Sequence, residues 1–166
     1  IATTLWVYAP LRDHQFLHYD DNAYVTDDAR IQQGLTWGNL LWALTAVEEA
    51  LWKPVTLYSH MLDVQLFGMN PAGHLLVNLL IHIANVVLLF WILHQTTGAV
   101  WCSALAAGLF ALHPLNVESV AWVAERKNVL STLFWLLTMG AYVGYARRPG
   151  RLRYLGVMGA LVLGLM

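Results

Sequence analysis

The chain has 166 residues, a formal net charge of −1, 58% hydrophobic residues and 11% charged ones, against about 25% charged in an ordinary soluble domain. No Asp, Glu, Lys or Arg occurs in the 54 residues 64–117, so an ordinary soluble domain is set aside, and so is bulk attraction to nucleic acid. A single cysteine, Cys102, excludes a disulfide framework and a Cys-rich zinc site.

The predicted elements make an all-α chain, a polytopic membrane helix bundle with a large extracytoplasmic first loop. Residues 1–8 read as the end of a first transmembrane helix, stopped by Ala9-Pro10. The first residue is Ile and Met166 lies inside an apolar run, so a piece of a longer membrane protein is expected. Residues 9–74 hold eight of the ten acidic residues and form the loop, folded against the membrane. Within it, Leu35–Trp52 reads as an amphipathic helix capped by Thr36, and Lys53-Pro54 breaks the pattern. Val55–Gly68 reads as a second helix, ended by Gly68 and Asn70-Pro71. Transmembrane helices are expected at about 75–93, 99–124 with a break at 113–119, 127–146 and 153–166.

Arg147, Arg148, Arg151 and Arg153 crowd one short turn, which the positive-inside rule makes cytoplasmic. Counting helices back, the turn His94–Gly98 is cytoplasmic too, and residues 9–74 and the 113–127 connection share the opposite side. Trp91, Trp101, Tyr142, Tyr145 and Tyr154 then form an aromatic belt. Gly98, Gly108, Gly140 and Gly144 show the small-residue spacing of close helix packing. No internal repeat is visible.

Four features can carry chemistry. Tyr19-Asp20-Asp21 sets two carboxylates side by side, which suits a general base, a divalent cation or an ordinary polar turn. Asp27-Asp28 reads as a turn or a helix N-terminus. His113-Pro114 through Glu118 to Glu125-Arg126-Lys127 sets acids, a histidine and cations between apolar helices. Glu118 and Glu125, seven apart, would share a helix face. Arg126 and Lys127 either hold a phosphate or anchor a helix at the head groups. His74, Asn78, His82 and Asn85 form one polar stripe, read as hydrogen-bonding glue rather than a metal or proton path. Lys53 and His60 either meet an anionic head group and assist proton transfer, or are a salt-bridged lysine and a satisfied core histidine.

The stretches Tyr19-Asp20-Asp21, Lys53-Pro54-Val55-Thr56, Ser59-His60-Met61-Leu62-Asp63, Leu66 through His74 and His113 through Ser131 together resemble one family. It is that of multi-pass membrane proteins with tetratricopeptide repeats, whose animal members are O-mannosyltransferases. The resemblance covers about Phe16 to Arg148 and implies a branch of the GT-C glycosyltransferases, which take sugar from a polyprenyl-phosphate donor. It places the loop acid motif on Asp20 and Asp21, further acids on Glu118 and Glu125, and the lipid phosphate on Lys53, Arg126 and Lys127; apart from the resemblance, His60 and His113 are further candidates for substrate binding. Two departures are Lys53, where Arg or His is expected, and Asn128, where Asp is expected. The function implied is inverting sugar transfer to a protein or glycan hydroxyl, at a bilayer, in a bacterial inner membrane, with the acidic loop extracytoplasmic. No cofactor is required by this reading, and a divalent metal is compatible with it. The rivals are a non-catalytic anchor presenting a repeat array to protein partners, and a transporter using the His74–Asn85 stripe.

Overall fold

Asn70-Pro71 starts the longest helix of the computed structural model. The Asn70 Oδ1 accepts from the Ala72 N–H at 3.1 Å, and Pro71 takes the first helical position, where its missing N–H costs nothing. The helix runs Pro71–Thr97, four residues beyond the expected 75–93 at each end. The Thr96 and Thr97 hydroxyls donate to carbonyls one turn back, so polarity does not end it. Gly98, at φ 69°, does. The predicted turn at 94–98 shrinks to Gly98-Ala99.

The structure describes residues 1–17, 20–47 and 51–166, with residues 22 and 23 described by backbone alone. Among them are helices and turns and no strand. In chain order the helices are α1 (Ala2–Val7), α2 (Ala29–Gln32), α3 (Trp37–Ala43), α4 (Pro54–Phe67), α5 (Pro71–Thr97), α6 (Val100–Ala111), α7 (Asn116–Ala121), α8 (Arg126–Arg147) and α9 (Arg151–Gly164). A tight turn at Ala9–Asp13 and a wide one at Asn22–Thr26 link the first of them.

Caps explain the short elements. Asp28 accepts from the Arg30 N–H at 2.7 Å and starts α2; Thr36 accepts from the Asn39 N–H at 3.2 Å and starts α3. The helix expected over 35–52 stops at Ala43, because the Trp52 indole folds back and donates to the Leu44 carbonyl at 2.9 Å. Glu48 and Glu49 lie outside the described residues, as does Tyr19. The segment 99–124 is two helices. Pro114 restrains His113 from helical geometry, and Trp122 is extended at φ −124°, ψ 125°. Glu118 on α7 and Glu125 at the cap of α8 therefore share no helix face.

α5 packs on α6 and α8, and α9 packs on α8. α5 and α8 are long and apolar enough to cross a membrane, whereas α6 is apolar but only 12 residues long. Two polar ties hold α5 and α8 parallel. At one end Arg126 donates to the His74 carbonyl; at the other Arg147 donates to the Gln95 side chain, at 2.7 Å in each case. Both pairs are 21 residues apart along their own helices, so the ties are in register. Of the four glycines, Gly140 alone sits at a close contact: a Cβ there would meet the Trp91 ring at 3.0 Å, whereas Gly98, Gly108 and Gly144 face open space.

Candidate functional site

The site begins with a pinned aspartate. Asp21 accepts from the Leu17 N–H at 2.9 Å and from the Ala124 N–H at 2.8 Å, and its carboxylate also meets the Trp122 side chain. These bonds fasten the acidic loop to the connection between α7 and α8. Asp21 is 1% exposed, and burial pushes its carboxyl above the usual range, against those three bonds and with help from neighbouring Asp20. Asp20 is half-buried beside it, and its carbonyl accepts from the Tyr24 N–H at 3.1 Å.

That wide turn delivers the Tyr24 ring to two lysines. Lys53 Nζ lies 3.2 Å from the ring centroid and Lys127 Nζ 5.5 Å from it. Burial lowers the Lys53 ammonium to about 8; the Lys127 charge adds to this and Asp20 opposes it. Lys127 pairs with Glu125 at 3.1 Å, and Glu125 also accepts from the Asn128 amide. Lys53 and Lys127 line one open groove whose apolar wall includes Trp52, Leu130, Phe134 and Leu163.

Arg126, next to Lys127, turns the other way. It is fully buried and donates to Asp63 Oδ2 at 2.6 Å, Ser59 Oγ at 2.6 Å, the His74 carbonyl at 2.7 Å and Asn78 Oδ1. This network joins α4, α5 and α8. His74 Nε2 donates to the Gly68 carbonyl at 3.3 Å, while its Nδ1 lies 3.3 Å from Asp63. His60 is completely buried with neither ring nitrogen hydrogen-bonded, and burial, then Arg126, His74 and Lys53, hold it well below its usual value and hence neutral.

Among the described residues, His60, Asp63 and His74 are the group whose donor atoms, all within 4.8 Å of one another, come near enough for one metal ion. The Arg126 guanidinium already sits against Asp63, where a metal would draw its charge, so the set fits a metal poorly.

Against known proteins, no family model matches the chain and no solved structure matches it. It is 28% identical over 137 residues to Protein O-mannosyl-transferase Tmtc2 of Drosophila melanogaster and 31% over 139 residues to Protein O-mannosyl-transferase TMTC1 of Homo sapiens. It is 34% identical over 115 residues to Protein O-mannosyl-transferase tmtc2 of Xenopus laevis. These matches take in 78%, 77% and 69% of this chain. The resemblance is to the TMTC protein O-mannosyl-transferases. The chain spans only 15%, 15% and 13% of those three TMTC proteins' length.

The fold of this TMTC-like segment gathers Asp20, Asp21, Lys53, Glu125 and Lys127 around Tyr24 and puts His60 behind them, near Arg126. It does not gather His113 and Glu118, which are exposed on the connection after α6. Among the described residues no hydrogen bond or ion pair links either to the cluster. The phosphate contact expected of Arg126 is replaced by an interior one, since four protein groups take its donors. The polar stripe is glue: besides the contacts of His74, Asn78 donates to the Trp122 carbonyl at 2.9 Å, His82 to that of Ala111 at 3.1 Å and Asn85 to that of Val129 at 3.0 Å. Sequence reasoning missed Tyr24 and the Asp63 counter-ion. A tyrosine three residues after the acid pair was the one available signal for the first. An apolar-flanked aspartate on α4 was the signal for the second.

Proposed function

We propose that this chain is the donor-handling part of an integral-membrane, inverting GT-C-type glycosyltransferase. It moves a sugar from a polyprenyl-phosphate to a protein or glycan hydroxyl on the extracytoplasmic side. The observation that carries this is the meeting of two lysines at one ring, with Asp20 acting on the nearer of them, beside an apolar-walled groove. The acceptor oxygen attacks the anomeric carbon as the carbon–oxygen bond to phosphate breaks, and the phosphate leaves with the electron pair. Lys53 and Lys127 stabilise that growing charge. Asp20 takes the hydroxyl proton. It is assigned this part over Asp21 because Asp21 is buried and already holds two backbone N–H groups. Glu125 orients Lys127, Arg126 positions α8, His60 backs Lys53, and exposed His113 and Glu118 are assigned to the acceptor. The names of the TMTC relatives support protein O-mannosylation as the chemistry.

The test is sugar transfer from polyprenyl-phosphate mannose to endogenous acceptors in membranes holding the full-length protein. Asp20→Asn should reduce transfer by roughly 10²–10⁴ at unchanged folded amount. Equal transfer in wild type and variant rejects Asp20 as the base. No transfer by wild type from any polyprenyl-phosphate sugar rejects the enzyme reading in favour of a membrane anchor.

A further inference from the structure

Tyr24 has no part in the proton or sugar transfer just described, yet it is 2% exposed and its ring is the surface on which both lysines rest. We infer that Tyr24 is a positioning residue that holds Lys53 and Lys127 toward one phosphate. The inference rests on the proposed role of those lysines.

The physical case lies in what an aromatic face does to an ammonium. It attracts the cation without accepting its proton or cancelling its charge. A carboxylate in its place would neutralise one lysine and lock it. The ring keeps the enclosed Lys53 ammonium, 5% exposed, charged at the inner side of the groove, where it adds to the pull of the more exposed Lys127 on an anion. The two lysines are close enough to repel, since Lys127 lowers the Lys53 ammonium. An anion between them relieves that repulsion. The groups that act on Lys53 are Asp20, Lys127, which lines the groove, and His60 within, the last with Arg126 beyond it; Lys127 is also faced by Glu125. Of these, Asp20 favours the charged lysine and Lys127 opposes it, and the ring adds to the side of Asp20.

The placement follows from local sequence. Asp20 and Tyr24 are one wide turn apart, joined by the Tyr24 N–H to Asp20 carbonyl bond, so the proposed base and the ring arrive together. Lys53 directly precedes α4, whose first residue is Pro54, and Lys127 opens α8, so three separate elements meet at the ring.

The experiment compares wild type, Tyr24→Phe and Tyr24→Leu in the full-length, membrane-extracted protein. The rate of Lys53 acylation by a small amine reagent is followed against pH by peptide mass spectrometry, with and without inorganic phosphate. This readout needs no transferase activity. Wild type and Tyr24→Phe should share a midpoint near 8, and Tyr24→Leu should fall by roughly one pH unit. Phosphate should slow the labelling of Lys53 in the first two and not in the third. Where transfer is measurable, Tyr24→Leu should lower kcat/KM for the polyprenyl-phosphate donor about tenfold and move the alkaline fall of its pH profile down by roughly one unit, and Tyr24→Phe should restore both. Identical midpoints and phosphate protection in all three proteins would overturn the role of Tyr24. Failure of wild-type transfer with the labelling pattern intact would sink the transferase reading and leave an anion clamp.

Discussion

Adjacent aspartates of the same type are given unlike work by their surroundings. Asp21 ties Leu17 to Ala124 across more than a hundred residues of chain, so Asp21→Ala should cost about 1–3 kcal/mol, read as a lower Tm. Asp20→Asn should leave Tm unchanged and remove transfer. Lys53 yields opposite pH trends for stability and activity. Its ammonium is lowered from 10.5 to about 8 in the folded chain, so between those values the unfolded chain holds more protons and folding gains as pH rises. Transfer, which needs the charged lysine, should fall as pH passes about 8. A pH series of Tm and initial rate on one preparation checks both signs. His60 acts in the acid range. Being held neutral when folded, it stabilises above about 6.5, and that contribution is lost as pH falls, by up to roughly 1.4 kcal/mol per pH unit. His60→Phe should flatten the decline of Tm between pH 6.5 and 5; an unchanged slope would show that other groups cause it.

Helices α4, α5 and α8 are joined by one guanidinium. Arg126→Met strands Asp63 in the interior and should cost about 3–5 kcal/mol, while the double variant Arg126→Met with Asp63→Leu should recover much of it. Thermal melts of the four proteins in one detergent give the cycle. The elements also mark what the sequence disclosed. The caps at Asp28 and Thr36 were legible, because they act on neighbours two or three residues away, whereas Asn70-Pro71 reads as a helix end and in fact starts α5. The existence of α5, α6, α8 and α9 was legible from apolar runs. The early end of α3 was not, since it depends on an indole eight residues further on. The direction of Arg126 was not either. Arg126 and Lys127 are chemically alike neighbours, and their opposite fates are set by Asp63 and Tyr24, each dozens of residues distant. The acid pair and Lys53 were legible as candidates, whereas the ring that unites them is visible only in space.

At the scale of the whole chain, the lysine cluster and the arginine turn lie at opposite ends of α5 and α8. With Cys102→Ser as background, Glu118→Cys and Arg148→Cys should therefore react with a membrane-impermeant thiol reagent from opposite faces of sealed vesicles; labelling from one face would reject the topology. The two in-register ties have a mechanical consequence. Twenty-one residues of helix measure about 31 Å, the depth of a bilayer's hydrocarbon layer, so the ties act as the fixed jaws of a caliper. A helix pair tied at both ends should meet a thinner lipid sheet by leaning as a unit rather than by sliding. In the proposed topology, leaning would move the Lys53–Lys127 ring platform with the helices. Short-chain lipids should then alter donor affinity without touching a residue of the cluster.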